Sequence, residues 1–399
     1  MSFSELGLKS SIASAVTEKG YNTPTPIQAK TIPVILKGRD VIAAAQTGTG
    51  KTAGFVLPIL QQLDNGHKLR GKRIRSLILV PTRELAIQVH DNVVAYAKNL
   101  SLTSMAMYGG TDIDAQKQRL IEGVDVLVAT PGRLLDMAHQ RALHFDELKI
   151  LVLDEADRML DMGFSKDIYD IIDRLPQQRQ NLLFSATMSD DVQNLGDDLT
   201  HYGTNGDVIE IRMSAKNEAA SSIEQWLITV DKDTRSALLS HLIKGGNWDQ
   251  ALIFTEQKHV AAKLVAQLGK RGIEADCIHA DRSQAQREKV LAQFKSGKLK
   301  YLVATGVAAR GIDIGKLSRV VNYDLPFKPE EYIHRIGRTG RAGAAGEAIS
   351  LVTWGDFKKL CAIESSLGHL IERREVEAFP VRKTVPISIL NYVPKNQRR

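Results

Sequence analysis

The chain has 399 residues, of which 43% are hydrophobic and 25% charged, a composition typical of a globular protein with two or three domains. The apolar stretches are too short to cross a bilayer, and the first twenty residues lack the pattern of a signal peptide, so we expect a cytoplasmic protein without a membrane segment. The formal net charge is +7, of which residues 371–399 contribute +4; this excludes a strong positive field over the whole surface, so nucleic-acid binding must depend on local sites.

An amphipathic segment begins at Phe3, and GYNTPTPIQ (20–28) interrupts it with two prolines. Pro24 and Pro26 predict a rigid turn that holds the Gln28 amide in one place. An amide offers both a hydrogen-bond donor and an acceptor, as recognition of an adenine edge requires. Considered in isolation, however, Gln28 is more typical of a helix cap or a surface residue.

A phosphate-binding loop is predicted at AQTGTGKT (45–52), between the apolar run VIAAA (41–45) and the helical segment FVLPIL (55–60). In such a loop small residues let backbone N–H groups surround phosphate oxygens, Lys51 adds a positive charge, and Thr52 offers a hydroxyl to Mg²⁺. Ala45 stands where glycine is usual, and a flexible linker is the alternative interpretation of this octamer. The flanking strand and helix favour nucleotide binding.

Four apolar runs follow the loop, and each ends in a polar cluster. The runs are SLILV (76–80), VDVLVA (124–129), KILVLD (149–154) and NLLF (181–184), and the clusters are PTRELA (81–86), TPGR (130–133), DEAD (154–157) and SAT (185–187). Continuous apolar runs separated by helical spacers predict a parallel sheet with helices on both faces. Functional groups in that architecture lie at the carboxyl ends of strands, where these clusters fall.

The DEAD cluster offers two acids with distinct predicted roles. Asp154 is placed to hold a Mg²⁺ ion that bridges phosphates, and Glu155 to orient or deprotonate an attacking water. The alternative is an acid-rich helix N-terminus, which is common because acids complement the helix dipole. The phosphate loop upstream favours the catalytic interpretation.

The second half repeats the pattern without a second phosphate loop. Apolar runs return at ALIFTE (251–256), KYLVAT (300–305) and SRVVNYD (318–324), which predicts a second α/β domain without its own nucleotide pocket. We therefore expect an N-terminal domain at 1–210, a linker at 211–222, a C-terminal domain at 223–370 and a short basic extension at 371–399.

An arginine-rich segment closes this second half. Arg335, Arg338 and Arg341 recur at every third position with glycines between them, so their guanidinium groups are predicted to approach phosphates, although a basic surface patch is the alternative. An arginine delivered to a γ-phosphate from another domain stabilises the transition state of phosphoryl transfer. Asp313, slightly upstream, is placed to bind a ribose hydroxyl.

With these motifs in this order over residues 3–370, the sequence resembles the DEAD-box ATP-dependent RNA helicases, in particular the RhlE-type proteins of bacteria. The resemblance implies two RecA-like domains, joined by a flexible linker, that close on ATP, Mg²⁺ and single-stranded RNA. It implies that the nucleotide is bound by Phe3, Gln28, Gln46, Thr47, Gly48, Thr49, Gly50, Lys51, Thr52, Gly311 and Asp313, with Thr52 and Asp154 as metal ligands.

The resemblance also assigns catalytic and RNA-binding residues. It implies catalytic or coupling roles for Lys51, Asp154, Glu155, Ser185, Thr187, His334, Arg338 and Arg341. It implies RNA contacts at Pro81, Thr82, Arg83, Gly110, Thr130, Gly132, Arg133, Gln284, Arg287 and Thr305.

Three features depart from the family pattern. Ala280 stands where glycine is usual, Gly306 replaces the acidic residue of the family's ATDVAARG motif, and the long Gly/Arg-rich tail of many relatives is absent. The first crowds a backbone expected to approach RNA, and the second removes a side chain to which the family assigns a role.

The leading functional hypothesis is an RNA-dependent ATPase, an ATP-dependent RNA helicase that locally unwinds short duplexes or remodels RNA–protein complexes. An ATP-gated RNA clamp with slow hydrolysis is a second hypothesis, and a DNA helicase a weaker third. The expected partner is single-stranded or short duplex RNA, bound through its backbone with little sequence preference. We also expect a monomer that meets ribosomal or RNA-degradation proteins.

Overall fold

The computed structural model divides the chain into two units, Met1–Ala215 and Lys216–Arg399. It describes residues 2–46, 48–66, 70–200, 208–213, 223–246, 248–279, 281–306, 317–340 and 346–390. Within these ranges no helix is both long and apolar enough to span a membrane.

The first unit contains a parallel sheet whose strands appear in the order β3-β4-β2-β5-β6-β1-β7. Strands β1 to β7 are Asp40–Ala44, Ile74–Leu79, Ser104–Met107, Val124–Ala129, Ile150–Asp154, Gln180–Ser185 and Val208–Arg212. Helices α1 to α9 are Ser10–Glu18, Pro26–Leu36, Lys51–Leu63, Arg83–Tyr96, Ile113–Leu120, Pro131–His139, Ala156–Asp161, Ser165–Ile172 and Asp190–Thr200.

Most strands of this sheet are buried on both faces, which explains why they are largely apolar. Along β6, Leu182 and Phe184 belong to one hydrophobic core and Leu183 to the other, since successive side chains of a strand point to opposite faces. Helices cover each face, as is usual for parallel sheets.

The second unit contains a sheet of the same type, in the order β10-β11-β9-β12-β13-β8-β14. Strands β8 to β14 are Ile223–Thr229, Ala251–Thr255, Ala275–Ile278, Tyr301–Thr305, Arg319–Asn322, Gly346–Val352 and Glu372–Arg374. Helices α10 to α14 are Arg235–Gly245, Lys258–Gly269, Gln284–Lys295, Pro329–Ile336 and Phe357–Leu367, and Trp354–Asp356 form a short 3₁₀ helix.

Two edge strands lie beyond the domain limits expected from sequence. Strand β7 reaches Arg212, inside the segment predicted as linker, and pairs with β1. Strand β14 lies inside the predicted C-terminal extension and pairs with β8. Both segments therefore contribute backbone hydrogen bonds to a sheet, while residues 214–222 of the predicted linker fall outside the described ranges.

One arginine of the basic run HKLRGKRIR (67–75) is part of the first unit's interior. Arg75 is 1% exposed, and its Nη1 donates to Asp125 Oδ1 at 2.8 Å. Its Nη2 donates to the Leu63 carbonyl at 2.8 Å, which ties β2 to the end of α3. A buried charge needs such partners, because desolvation would otherwise cost several kcal/mol.

Candidate functional site

The phosphate-binding loop connects β1 to α3 and folds around its own lysine. Gly50 caps α3 with φ of +89°, a left-handed conformation that glycine adopts without strain. Lys51, 6% exposed, donates from Nζ to the Ala45 carbonyl at 2.6 Å. Thr49 Oγ1 donates to the Gln46 carbonyl at 2.8 Å. The lysine of the predicted loop is therefore held over the loop by a backbone acceptor.

Gln28 connects the second helix to this loop. Its Oε1 accepts from the Thr25 amide at 2.9 Å, which caps α2, and its Nε2 donates to the Gly50 carbonyl at 3.0 Å. A Cβ at Gly50 would overlap Gln28 Nε2. Gln28 is thus a helix cap, as its residue type favoured, and also a contact of the phosphate loop. Phe3, its predicted partner at adenine, is buried in the first hydrophobic core.

Asp154 ends β5 at the same sheet edge, because β5, β6 and β1 are neighbours. Burial raises the pKa of this carboxyl to about 7, while the positive charge of Lys51 lowers it and the negative charges of Glu155 and Asp157 raise it. The phosphate loop follows β1, so it lies at the same end of the sheet as this acid. The positive charge of Lys51 offsets only part of the cost of burying this carboxylate, so binding of a further cation beside it is favourable.

Glu155 adopts a backbone conformation that is unusual for its residue type. Its φ is +54° and its ψ is 49°, and it caps α7 from the left-handed region. Its Oε2 accepts from Nη1 of the buried Arg158. Strain of this kind concentrates at functional sites, where the surrounding structure holds it. Here the strained residue is Glu155, which stands directly before the first residue of α7.

Asp157 and Arg158 are two residues of this site that were not among those predicted. Asp157 Oδ2 accepts from both the amide and the hydroxyl of Thr187, each at 3.0 Å. Ser185 Oγ donates to the Thr187 carbonyl at 2.6 Å. The last acid of DEAD therefore binds SAT directly. Asp157 belongs to the DEAD motif, but the sequence does not show which acid of that motif contacts the residues after β6.

The predicted RNA contacts of this unit lie at the other half of the edge, where β3, β4 and β2 are neighbours. Pro81, Thr82 and Arg83 follow β2 directly, and Thr82 Oγ1 caps α4 by accepting from the Leu85 amide at 3.3 Å. The Arg83 guanidinium packs on Gly110, which has φ of +81° and where a Cβ would overlap that group. Residues after two different strands thus meet at one place.

Arg133 extends this second half of the edge. Thr130 precedes α6, and its amide donates to the Met107 carbonyl at the end of β3 at 3.0 Å. Arg133 Nη1 donates to Gln116 Oε1 at 3.1 Å and Nη2 to the Thr111 carbonyl at 3.2 Å. A Cβ at Gly132 would meet nothing within 4 Å, so the backbone beside this arginine faces open space.

In the second unit, three predicted RNA contacts lie near the end of β10 and β11. Thr305 ends β11 and is buried. Gln284 begins α12, and its Nε2 donates to Glu288 Oε1 at 2.9 Å. Its Oε1 is buried without a hydrogen-bond partner among the described residues, which leaves an acceptor for an incoming donor. Arg287 lies half-buried one turn further along α12.

The arginine segment divides into a structural residue and a candidate phosphate ligand. Arg335, predicted to approach a phosphate, instead donates from Nη1 to the Asp324 carbonyl at 2.7 Å and lies 5.1 Å from the centre of the Phe254 ring. These partners lie within the unit, and the phosphate contact predicted for Arg335 stays a prediction. Arg338 is buried beyond the end of α13, and His334 is half-buried on that helix.

Five positions named in the sequence analysis lie outside the described residues, so what was predicted for them stays a prediction. They are Thr47, Ala280, Gly311, Asp313 and Arg341.

Comparisons with known proteins bear directly on both units. A family model described as DEAD/DEAH box helicase matches residues 25–195, and one described as helicase conserved C-terminal domain matches residues 234–343. The ATP-dependent RNA helicase CshA of Listeria monocytogenes is 44% identical over 350 residues, which cover 88% of this chain and 66% of that protein. The DEAD-box ATP-dependent RNA helicase RhpA of Helicobacter pylori is 40% identical over 375 residues, covering 94% and 74%.

Solved structures agree with these sequence matches. Saccharomyces cerevisiae Dbp5 bound to RNA and ADP BeF3 is similar with a TM-score of 0.85 and 32% identity, over 94% of this chain and 96% of that one. Mss116p bound to single-stranded RNA and AMP-PNP has a TM-score of 0.83 and 30% identity, over 94% and 78%. The two parallel sheets match the RecA-like domains of these structures, which confirms the predicted fold class. The chain belongs to the family of DEAD-box ATP-dependent RNA helicases.

Proposed function

We propose that this chain is an RNA-dependent ATPase that locally separates short RNA duplexes or remodels RNA–protein complexes. One observation carries the proposal: Lys51, Asp154 and Glu155 converge on one half of a sheet edge whose other half presents Arg83 and Arg133. The first half has the groups that bind and cleave a triphosphate, and the second has guanidinium groups suited to a phosphate backbone.

In the proposed reaction, ATP takes over contacts that the loop now makes with itself. Lys51 Nζ exchanges the Ala45 carbonyl for phosphate oxygens, and the loop amides around Gly48 and Gly50 donate to the same group. Glu155 orients the attacking water and accepts its proton. Its contact with Arg158 fixes the carboxylate for this role.

The same site fits a magnesium ion. Asp154 is an oxygen donor whose pKa is raised mainly by burial, and the half-buried Thr52 offers a hydroxyl in the first turn of α3. Mg²⁺ prefers oxygen ligands and keeps several waters, so two protein ligands beside the phosphates are sufficient. When bound, the ion would neutralise charge on the phosphates.

Further proposals concern residues of the second unit. We propose that Arg338 and Arg341 meet the γ-phosphate with His334 in support, that Asp313 and Gly311 meet the ribose, and that Gln284, Arg287 and Thr305 contact RNA. Gln284 Oε1 has no hydrogen-bond partner within the part of the chain that the structure describes, which supports this, because a ribose 2′-hydroxyl is a donor of the required kind. ATP-driven closure of the two domains on single-stranded RNA follows from these assignments.

The finer assignments are also proposals. We place the chain in the RhlE-like subgroup on its motifs, while the relatives compared above carry the names CshA and RhpA. We propose a cytoplasmic monomer that meets ribosomal or RNA-degradation proteins, in which the domains predicted at 1–210 and 223–370 also include the edge strands β7 and β14.

The experiment is ATP hydrolysis measured without nucleic acid, with RNA, and with DNA of the same sequence, using Lys51→Ala as a matched inactive variant. RNA-stimulated turnover that Lys51→Ala abolishes supports the proposal. A long-lived complex of ATP and RNA with little turnover favours the clamp, and equal stimulation by DNA overturns the preference for RNA.

Strand separation tests the local mode. Each stacked base-pair step costs roughly 1.4 kcal/mol to open, on the scale known for DNA. One closure that supplies several kcal/mol therefore opens only a handful of pairs. Duplexes of about ten pairs should separate readily, and rates should fall steeply with each added helical turn. Equal rates for much longer duplexes in single encounters would indicate translocation instead.

A further inference from the structure

Arg158 is a buried arginine beside the candidate base, and its guanidinium has few partners. It lies in the first turn of α7 and is 2% exposed. Within the described part of the chain, its guanidinium makes one hydrogen bond, from Nη1 to Glu155 Oε2, and its Nε is buried without an acceptor. Removing a guanidinium from water is unfavourable unless hydrogen bonds replace the lost hydration. Stability of the fold therefore does not by itself explain an arginine at this position.

Arg75 shows how a buried arginine of the same unit supports the fold. It is 1% exposed, and although its Nε also lacks an acceptor among the described residues, its other two nitrogens donate to three acceptors. These are Asp125 Oδ1 at 2.8 Å, the Leu63 carbonyl at 2.8 Å and Asn65 Oδ1 at 2.7 Å. They lie on β4 and at the end of α3, so Arg75 joins separate elements. By contrast, the one acceptor described for the Arg158 guanidinium is one turn away in the chain.

Glu155 is bound by Arg158 through both its backbone and its side chain. The Glu155 carbonyl accepts from the Arg158 amide at 3.0 Å, and its Oε2 accepts from the guanidinium. The Glu155 amide in turn donates to Asp154 Oδ1 at 3.0 Å, which connects the candidate base to the candidate metal ligand. A glutamate side chain can rotate about several bonds, and the guanidinium contact restricts this rotation. The carboxylate therefore has a defined position before any substrate arrives.

We propose that Arg158 is a positioning residue for ATP hydrolysis, which holds the Glu155 carboxylate where it takes the proton of the attacking water. In that step the water oxygen bonds to the γ-phosphorus, the bond from the γ-phosphorus to the ADP oxygen breaks, and the water proton passes to Glu155. A displacement of about 1 Å can lower a rate about a hundredfold, so the orientation of the base matters as much as its presence. This inference rests on the proposed RNA-dependent ATPase activity.

Arg158→Met tests the inference, because it removes the charge and the donors but keeps a long side chain. At saturating ATP and RNA, single-turnover phosphate release should slow by about ten- to a hundredfold. The dissociation constants for ATP and RNA should stay within about threefold of those of the unmodified protein. This split between rate and affinity is expected because, within the described ranges, the Arg158 guanidinium bonds to the base and to no residue of the phosphate loop.

A double-variant cycle separates positioning from general damage to the site. Glu155→Gln removes the base, so adding Arg158→Met to it should change the release rate by less than about twofold. The double variant has lost both charges of the pair and leaves no unpaired carboxylate at position 155. Its comparison with Glu155→Gln therefore remains possible if Arg158→Met alone folds poorly.

Arg75→Met is the matched control, since it makes the same substitution at an equally buried arginine of the same unit. It removes three hydrogen bonds that join elements of the fold, so it should lower the midpoint of urea unfolding. The rate of phosphate release by the folded Arg75→Met protein should stay within about twofold of the unmodified rate.

Three outcomes overturn the inference. They are an unchanged release rate in Arg158→Met, a loss of ATP affinity that accounts for its slower turnover, and a further loss when Arg158→Met is added to Glu155→Gln. If Glu155→Gln hydrolyses ATP at nearly the normal rate, or if RNA does not stimulate the unmodified protein, the proposed function fails instead. The two failures are therefore distinguishable.

Discussion

Replacing Asp157 by alanine should loosen the SAT segment that follows β6. In the folded unit Asp157 accepts three hydrogen bonds, two from Thr187 and one from the Arg158 amide, each at 3.0 Å. A hydrogen bond to a charged acceptor contributes about 1.5–3 kcal/mol. Water can replace part of this for the half-buried Thr187, and burial of the Asp157 charge has its own cost. We therefore expect a net local loss of about 2–4 kcal/mol.

Two further variants divide this loss. Thr187→Val removes the bond from the hydroxyl and keeps the amide bond, so it should cost about 1 kcal/mol. Thr187→Ser keeps both bonds and is the matched control. Because Thr187→Val removes a bond that Asp157→Ala has already removed, the double variant should lose little more than Asp157→Ala.

Hydrogen exchange of the peptide that contains Ser185 and Thr187 measures the local loss. A change of 2–4 kcal/mol corresponds to exchange faster by roughly 30-fold to several hundredfold. The companion assay is the number of short RNA duplexes separated for each ATP hydrolysed, which should fall in Asp157→Ala if SAT couples the two events. Unchanged exchange, or additive losses in the double variant, would refute the role assigned to Asp157.

Three other predictions follow from the same site and its support. Glu155→Gln should keep ATP and RNA binding, because the amide is nearly isosteric and can still accept from Arg158, but should slow single-turnover phosphate release by about a hundredfold; a reduction below about tenfold would exclude Glu155 as the base. Burial raises the pKa of Asp154 to about 7 in the metal-free folded protein. Between about pH 4 and pH 7 the folded protein therefore keeps a proton on Asp154 that the unfolded chain has lost, and the free energy of unfolding should fall as the pH rises through this window. Asp154→Asn should make the free energy of unfolding less dependent on pH in the same window. Asp125→Ala should destabilise the first unit by about 3–5 kcal/mol in urea unfolding, since it leaves Arg75 buried without its acid; a loss under 1 kcal/mol would show that water replaces the acid.

Sequence reasoning succeeded where a strand is buried on both faces. Runs such as VDVLVA (124–129) and ALIFTE (251–256) are largely apolar, and strands β4 and β9 lie there. Burial on two faces gives a signal that depends on no distant contact. The order of polar clusters after these strands then placed the nucleotide and RNA candidates on a common edge.

Of the strands that were missed, β13 is buried along most of its length, whereas β3, β10 and β14 have no such signal. β14 is the charged tripeptide Glu372–Arg374, and it is a strand because it pairs with β8. β3 and β10 are four residues long and only partly buried. Their structure depends on neighbours distant in sequence, as strand formation commonly does.

Ion pairs and contacts between side chains that are distant in the sequence could not be predicted from the motifs either. The sequence identifies Arg75 as one base in a basic run, and only the fold brings Asp125, 50 positions away, to its guanidinium. The same holds for Glu331: a Cβ at Gly306 would overlap its Oε1 only because helix α13 lies against the end of β11.

At the carboxyl ends of the first unit's strands, the acids near the phosphate loop and the arginines near β2, β3 and β4 differ in how well their charges are compensated. In the nucleotide half, Asp154 is buried with a raised pKa and Glu155 has a left-handed backbone, both of which cost folding free energy. In the half predicted to bind RNA, Arg133 donates to Gln116 and to a backbone carbonyl but keeps a buried Nε without a partner among the described residues, and Arg83 packs on Gly110. A cation and a triphosphate therefore relieve a cost that the fold carries, whereas an RNA backbone must compete with existing contacts. We therefore expect nucleotide binding with Mg²⁺ to stabilise the unit more strongly than RNA binding does.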